Sequence, residues 1–230
     1  MKLPDKTRSI EEAVARIGDG ASIMIGGFGV PGTPFNLIAE LVRQGQKDLT
    51  LIKNDANEAG MGIDHLLANG QVKKLIVTHL GLNAHAIELM NGGKIEVEFC
   101  AQGILAERIR AGGSGLAGFI SDIGIGTELA EGKQMVTVDG KDYVLETALR
   151  TDAAFIHAQC CDGFGNLVFA KTARNFNPLM AMAADCVIAQ SLNCLPIGAL
   201  EPDSIHTPGP FVDHVVALEN LHKEYAIVRR

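Results

Sequence analysis

Apolar residues come in short runs of four or five, separated by longer segments in which they recur every three or four positions. That switch of period predicts strands alternating with helices. A helix is expected over 9–17, opened by Ser9 with Glu12 three residues on as a capping box requires, then a strand over 22–25. The same reading gives a helix over 35–42, a strand over 49–52, a helix near 62–69 and a strand over 74–77. Helix 84–90, strand 95–99 and a helix over 104–110, stopped by Gly112-Gly113, continue the rhythm of parallel βαβ units. The pattern then breaks. Residues 134–138 and 143–146 flank Asp139-Gly140 as a hairpin would, so an antiparallel excursion is expected to join the sheet. Strands at 153–157, 167–170 and 186–189, with a helix at 179–184, resume the parallel theme. The fold class predicted is α/β, a mostly parallel open sheet with flanking helices and an antiparallel hairpin excursion. No Pro-, Ser- or charge-rich linker divides the chain, which reads as a single domain over 1–230.

Composition narrows the partners. With 230 residues and 47% apolar content the chain can bury a sizeable core, and its net charge of −7 leaves no dense Lys/Arg stripe for a phosphate backbone. No nucleic acid and no membrane are expected, since no apolar run approaches spanning length and residues 1–6 lack a signal-like apolar stretch. Five cysteines without paired spacing fit reduced thiols and a cytoplasmic location. Cys100, Cys186 and Cys194 read as small core residues, and the adjacent Cys160-Cys161 are poorly placed to bridge each other. Seven scattered histidines show no ligand spacing, so no metal is expected.

Three motifs are tested and set aside. Gly113-Ser114-Gly115-Leu116-Ala117-Gly118 satisfies G-x-G-x-x-G, but a helix leads into it where a dinucleotide site needs a strand. For the same reason, and because Leu116 replaces the last glycine, it is no nucleophile elbow. Glu131 stands where a P-loop beginning at Gly126 would need its second glycine. No nucleotide redox cofactor is therefore expected. His206-Thr207-Pro208-Gly209 reads as a turn.

The stretch from Asp19 to Pro34 carries more. An apolar strand runs into Gly26-Gly27-Phe28-Gly29-Val30-Pro31-Gly32, and Pro34 presets the first turn of the next helix. Glycines there let backbone N–H groups approach a ligand; the alternative is a tight turn with no ligand. The whole run, an Asp-Gly pair, aliphatics, Gly-Gly-Phe, a spaced Gly and a Pro, resembles the first signature of the family I coenzyme A transferases. Asp48 to Asp55, Gln102 to Gly113 and Ala173 to Pro178 are similar to that family's further landmarks, in the same order. The likeness covers nearly the whole chain and points to an α (A) subunit of the acetate/acetoacetate (3-oxoacid) type.

The resemblance implies that coenzyme A is a substrate and that a glutamate attacks the acyl-CoA carbonyl. In the family that glutamate lies in a Ser-Glu-Asn-Gly signature on the β (B) subunit. This chain has none; Leu218-Glu219-Asn220-Leu221 is a chance match. A β partner, in an α2β2 assembly, is therefore implied, with no catalytic nucleophile in this chain. By resemblance Gly26, Gly27, Phe28, Gly29, Val30, Pro31 and Gly32 face the coenzyme. Phe28 either packs on the acyl or pantetheine chain or belongs to the core. Gln102, with Gly103, reaches the substrate or the partner's glutamate. Asn54 is at the carboxyl end of a strand, where open α/β sheets place ligands, and is either a supporting residue or a turn or cap residue. Arg174 to Asn177 contacts phosphates or the partner, or is a structural loop. Relatives have Pro-Gln-Gly-Thr where this chain has Ala101-Gln102-Gly103-Ile104, a change beside the acyl pocket that leaves the acid open. Two other classes compete: an isomerase or deaminase on the related sugar-phosphate isomerase-like fold, disfavoured by the lack of cations in the glycine loop, and a non-catalytic acyl-CoA-binding module.

Overall fold

The computed structural model describes residues 3–225. Ser9 accepts a hydrogen bond from the Glu12 N–H, and Glu12 accepts one in return from the Ser9 N–H, so the predicted capping box opens α1 (Ile10–Val14), although the helix is shorter than 9–17. The chain continues through β1 (Ser22–Ile25), α2 (Phe35–Gln44), β2 (Leu49–Ile52), α3 (Asp64–Ala68), β3 (Val72–Val77), α4 (Ala84–Asn91), β4 (Glu96–Phe99) and α5 (Gln102–Gly113). Next come β5 (Gly118–Ser121), β6 (Met135–Val138), β7 (Lys141–Thr147), β8 (Thr151–His157), β9 (Cys160–Asp162) and β10 (Leu167–Val168). The last elements of sheet and helix are α6 (Asn177–Met182), β11 (Ala184–Ser191), β12 (Asn193–Leu195) and β13 (His214–Ala217).

Seven strands form the main sheet in the order β13-β11-β8-β1-β2-β3-β4, every neighbouring pair parallel. Side chains alternate across it, as the period of two demands. Ile23, Ile25, Leu49, Leu51, Phe155 and Ile188 join Leu37, Leu41 and Leu66 of α2 and α3 in one core. Met24, Ile52, Ala154, Ile156 and Val187 join Leu105, Ile109 and Met180 of α5 and α6 in the other. From β1 the chain winds outward through β2, β3 and β4, whereas β8, β11 and β13 lie on the opposite side of β1. The sheet therefore has its switch point between β1 and β8. At a switch point the loops leaving two adjacent strands diverge and open a crevice, where such sheets bind ligands. The loop leaving β1 is the glycine loop.

Several expectations need correction. The hairpin of β6 and β7 does not join the main sheet; with β5 it forms a separate three-stranded antiparallel sheet, order β5-β7-β6. Gly112 and Gly113 are the last two residues of α5, so the helix runs through them before it ends. A Cβ at Gly112 would stand 1.9 Å from the Leu149 carbonyl oxygen, and one at Gly113 2.8 Å from Met182 Cβ, so they are glycines because other segments cross there. The helix ends at Ser114 and at Gly115, which has φ +73°. Strands β5, β9, β12 and β13 are not anticipated by the periodicity, and α6 starts two residues earlier than 179. Of the three cysteines read as core, Cys100 is buried while Cys186 and Cys194 are only half-buried.

Candidate functional site

The glycine loop is held from three directions. Gly29 gives its N–H to Asp55 Oδ2 at 2.8 Å, and its carbonyl accepts from Asn57 Nδ2 at 2.9 Å and from Thr33 Oγ1 at 2.7 Å. On the other side Asn175 Nδ2 donates to the Pro31 carbonyl at 2.9 Å, and Asn177 Nδ2 to the Gly32 carbonyl at 3.2 Å. Beneath, Tyr225 OH donates to the Thr33 carbonyl. Gly26 N–H is used in a bond to Phe155, and Phe28 N–H bonds to the Pro31 carbonyl. Of the run Gly26 to Gly32, the N–H groups of Gly27, Val30 and Gly32 carry no bond to the rest of the described residues. Gly27 has φ +103°, and a Cβ there would lie 2.1 Å from Thr33 Oγ1. Phe28 is 46% exposed, so it is not a core residue. With Pro31, Thr172 and Asn175 it lines an apolar cavity of about 480 Å³. Asn175 and Asn177 thus brace the glycine loop.

Past β2 the alternation across the sheet continues, and it sorts three consecutive residues. Lys53 and Asp55 turn to the α2 side; Asn54 turns to the α5 side. Lys53 is fully buried, and its Nζ lies 3.3 Å from Asp55 Oδ1. Burial lowers the Lys53 pKa, with Asp55 opposing. Burial alone would raise that of Asp55, but the Lys53 ammonium and the N–H donors of Gly29, Asn54 and Asn57 overcome it and hold the carboxyl below the usual range. Asn54 Nδ2 donates to Asp55 Oδ2 at 2.9 Å, and Asn54 Oδ1 accepts from Gln102 Nε2 at 2.7 Å. Gln102 is the first residue of α5, makes no capping bond, and is exposed with Gly103. Thr78 Oγ1 donates to the Asn54 carbonyl at 2.8 Å. A run of hydrogen bonds therefore leads from the glycine loop through Asp55 and Asn54 to Gln102. A second cavity, about 580 Å³, opens beside Gln102.

Sequence reasoning singled out Asn54, Gln102 and the glycine loop but missed what fixes them. Lys53, Asp55, Asn57 and Thr78 were not singled out. The available signal was a lysine and an aspartate flanking Asn54 at the end of an apolar strand, too apolar a place for two charges unless they pair. Glu219 is exposed. Among the described residues no group of three or more His, Cys, Asp or Glu side chains is arranged to hold a metal ion. None of the described helices is long and apolar enough to cross a membrane.

A doubly wound sheet whose switch point carries a glycine loop with unbonded N–H groups, with the Asn54 amide past the end of the neighbouring strand, defines the α/β class of the protein. The chain matches the family described as coenzyme A transferase over residues 7–218, and it belongs to that family. It is 44% identical to the alpha subunit of the acetate CoA-transferase of Escherichia coli K12, over 92% of this chain and 96% of that one. To the A subunit of a probable succinyl-CoA:3-ketoacid coenzyme A transferase of Bacillus subtilis it is 47% identical, over 90% of this chain and 87% of that one. Among solved structures it overlays an acyl-CoA transferase of E. coli O157:H7, a thioester complex with CoA, with TM-score 0.85 and 26% identity. That overlay covers all of this chain but 52% of the other, so the chain spans about half the length of that relative. Within the family the chain stands with the A or α subunits.

Proposed function

We propose that this chain is the binding and orienting half of a coenzyme A transferase that moves CoA between a short-chain acyl-CoA and a carboxylate acceptor. A β subunit, in an α2β2 assembly in the cytoplasm, supplies the nucleophile, a glutamate. That carboxylate attacks the acyl-CoA carbonyl, forming an acyl-glutamyl anhydride and releasing the CoA thiolate. The thiolate attacks the glutamyl carbonyl, frees the first acid and leaves an enzyme–CoA thioester, which the acceptor acid resolves by the reverse sequence. Each tetrahedral intermediate carries an oxyanion that needs fixed donors in a water-poor site.

The observation that carries the reading is the uncharged pair Asn54 and Gln102 beside a loop with free N–H groups. Amides orient a carboxylate nucleophile without the salt bridge that would blunt it. In this assignment Gly27, Val30 and Gly32 offer N–H groups to the thioester or coenzyme, Phe28 and Pro31 line the wall for the apolar arm, and Gln102 with Gly103 meets the substrate. Asn54 holds Gln102 in place. Five free thiols accord with the cytoplasm. Relatives of nearly equal identity bear names for acetate and for succinyl-CoA and 3-ketoacids, so the acid is decided by the pocket rather than by kinship.

The test is co-expression with the β partner, addition of acyl-CoA, and borohydride reduction of the enzyme–CoA thioester. Reduction product on a glutamate of the partner is expected. Turnover by this chain alone would sink the division of labour.

A further inference from the structure

The cavity beside Gln102 has a charge character of its own, and we infer that it admits acyl groups without a second carboxylate, Glu128 being the residue that turns dicarboxylic chains away. This rests on the assignment of Gln102 to the substrate. The walls are largely apolar, with Phe99, Ala101 and Leu129 among them; Glu128, an exposed residue, is part of the lining, and no lysine, arginine or histidine lines the cavity. Phe99 is 40% exposed and faces no core.

Glu128 is held where it is. Thr127 Oγ1 donates to the Gly124 carbonyl at 2.7 Å and accepts from Leu129 N–H at 3.3 Å, fixing Glu128 as the first residue of a 3-10 turn, Glu128–Ala130. Its carboxylate is exposed and forms no ion pair among the described residues. The cations close enough to be felt at Cys100, in the cavity lining, are Arg108 and Lys133. Both are committed. Arg108 binds Glu98 Oε1 at 2.8 Å, Cys100 Sγ at 3.0 Å and the Thr147 carbonyl at 2.8 Å, and Lys133 Nζ lies 2.7 and 2.9 Å from the two oxygens of Glu146. A distal carboxylate entering this cavity would meet a like charge and no counter-ion. Repulsion of that kind grows as the pocket is closed to water. An alkyl or 3-oxoalkyl chain meets apolar walls and one uncharged amide.

The test uses the complex with the β partner and compares butyryl-CoA with succinyl-CoA as donors, acetate being the acceptor. The wild-type complex should favour butyryl-CoA by more than about tenfold in kcat/KM. Glu128→Lys should raise the succinyl-to-butyryl ratio by at least about tenfold, and Glu128→Gln by a smaller factor in the same direction. Equal or better use of succinyl-CoA by the wild type would overturn the inference, as would a ratio that neither variant moves. So would failure of Glu128→Lys to assemble with the partner, which would make Glu128 an interface residue. Loss of thioester formation with every donor in Glu128→Gln would instead make it the nucleophile. Silence of the wild-type complex with both donors is a separate result: it removes the transferase reading, and the selectivity with it.

Discussion

Gln102 and Asn54 face each other amide to amide, with Gln102 Nε2 donating to Asn54 Oδ1 at 2.7 Å. The polarity of that contact is imposed from behind. Asn54 Nδ2 is taken by the Asp55 carboxylate, so its oxygen has to face Gln102. Gln102 is left with one N–H and its carbonyl oxygen for the outside.

Gln102→Ala should therefore lower kcat for CoA transfer by about a hundredfold, the scale set by removal of one oriented donor. Co-purification with the β partner should be retained, because Gln102 is exposed on the first turn of α5. Steady-state kinetics on the purified complex check both. A variant as active as wild type would remove Gln102 from the site.

Asp55 and Lys53 form a buried pair whose halves are unequal. Asp55 keeps three N–H donors if Lys53 is replaced, whereas Lys53 has Asp55 as its one ion-pair partner among the described residues. Asp55→Ala should destabilise the fold by about 3 to 5 kcal/mol, the usual cost of stranding a buried charge, and Lys53→Met by less. The double variant Lys53→Met/Asp55→Ala should recover much of the loss. Urea unfolding of all three gives the coupling; equal losses in the two single variants would refute the asymmetry.

The glycines of the loop make a graded series. Gly27→Ala places a Cβ 2.6 Å from Thr33 N, a backbone atom, at φ +103°. Gly29→Ala meets nothing within 4 Å and bears only the strain of φ +57°. The first should abolish transfer and lower stability markedly. The second should cost about 1 kcal/mol, the ordinary penalty of a left-handed alanine. Thermal unfolding alongside activity separates them, and similar losses in both would mean that open space at Gly29 is filled in the working enzyme.

Burial pushes the His157 pKa down to about 4. The ring also faces a donor: Leu37 N–H bonds to Gln190 Oε1 at 2.9 Å, which turns Gln190 Nε2 toward His157 Nδ1 at 3.1 Å. A proton on Nδ1 would face an N–H. The unfolded chain takes up that proton near pH 6.5 and the folded one only near 4, so between those values the unfolded state binds more protons. Stability should thus be fully present above about pH 6.5 and fall by about 3 kcal/mol as pH drops toward 4. His214, also lowered by burial, contributes in the same direction. Urea midpoints measured at pH 7 and pH 4.5 should converge in His157→Gln more than in wild type; parallel losses in both would dismiss His157 as the source.

What the sequence could say followed from how local each signal is. Strands β1 and β2 are read to the residue, because apolar runs there are bounded by Asp19-Gly20, by the glycine loop and by Asp48. Strand β13, which completes the sheet, is His-Val-Val-Ala behind a turn rich in proline and glycine, too short to show a period. The glycines of α5 look like a stop because a sequence does not reveal that Leu149 and Met182 cross the helix there. Asn54 and Gln102 were legible as candidates from their places after strands. Their dependence on Asp55, Lys53 and Asn57 was not, since those contacts arise from the alternation of three residues across a sheet and from a loop 26 residues earlier.

Tyr225 joins the glycine loop from far along the chain, its hydroxyl on the Thr33 carbonyl 192 positions away and its ring set edge-on to Phe35 at 4.9 Å. On a ribosome, therefore, the loop is made long before the residue that props it. A nascent chain that has already paired β1 with β2 still lacks this prop. The order of synthesis thus defers a fully braced glycine loop until Tyr225 has emerged.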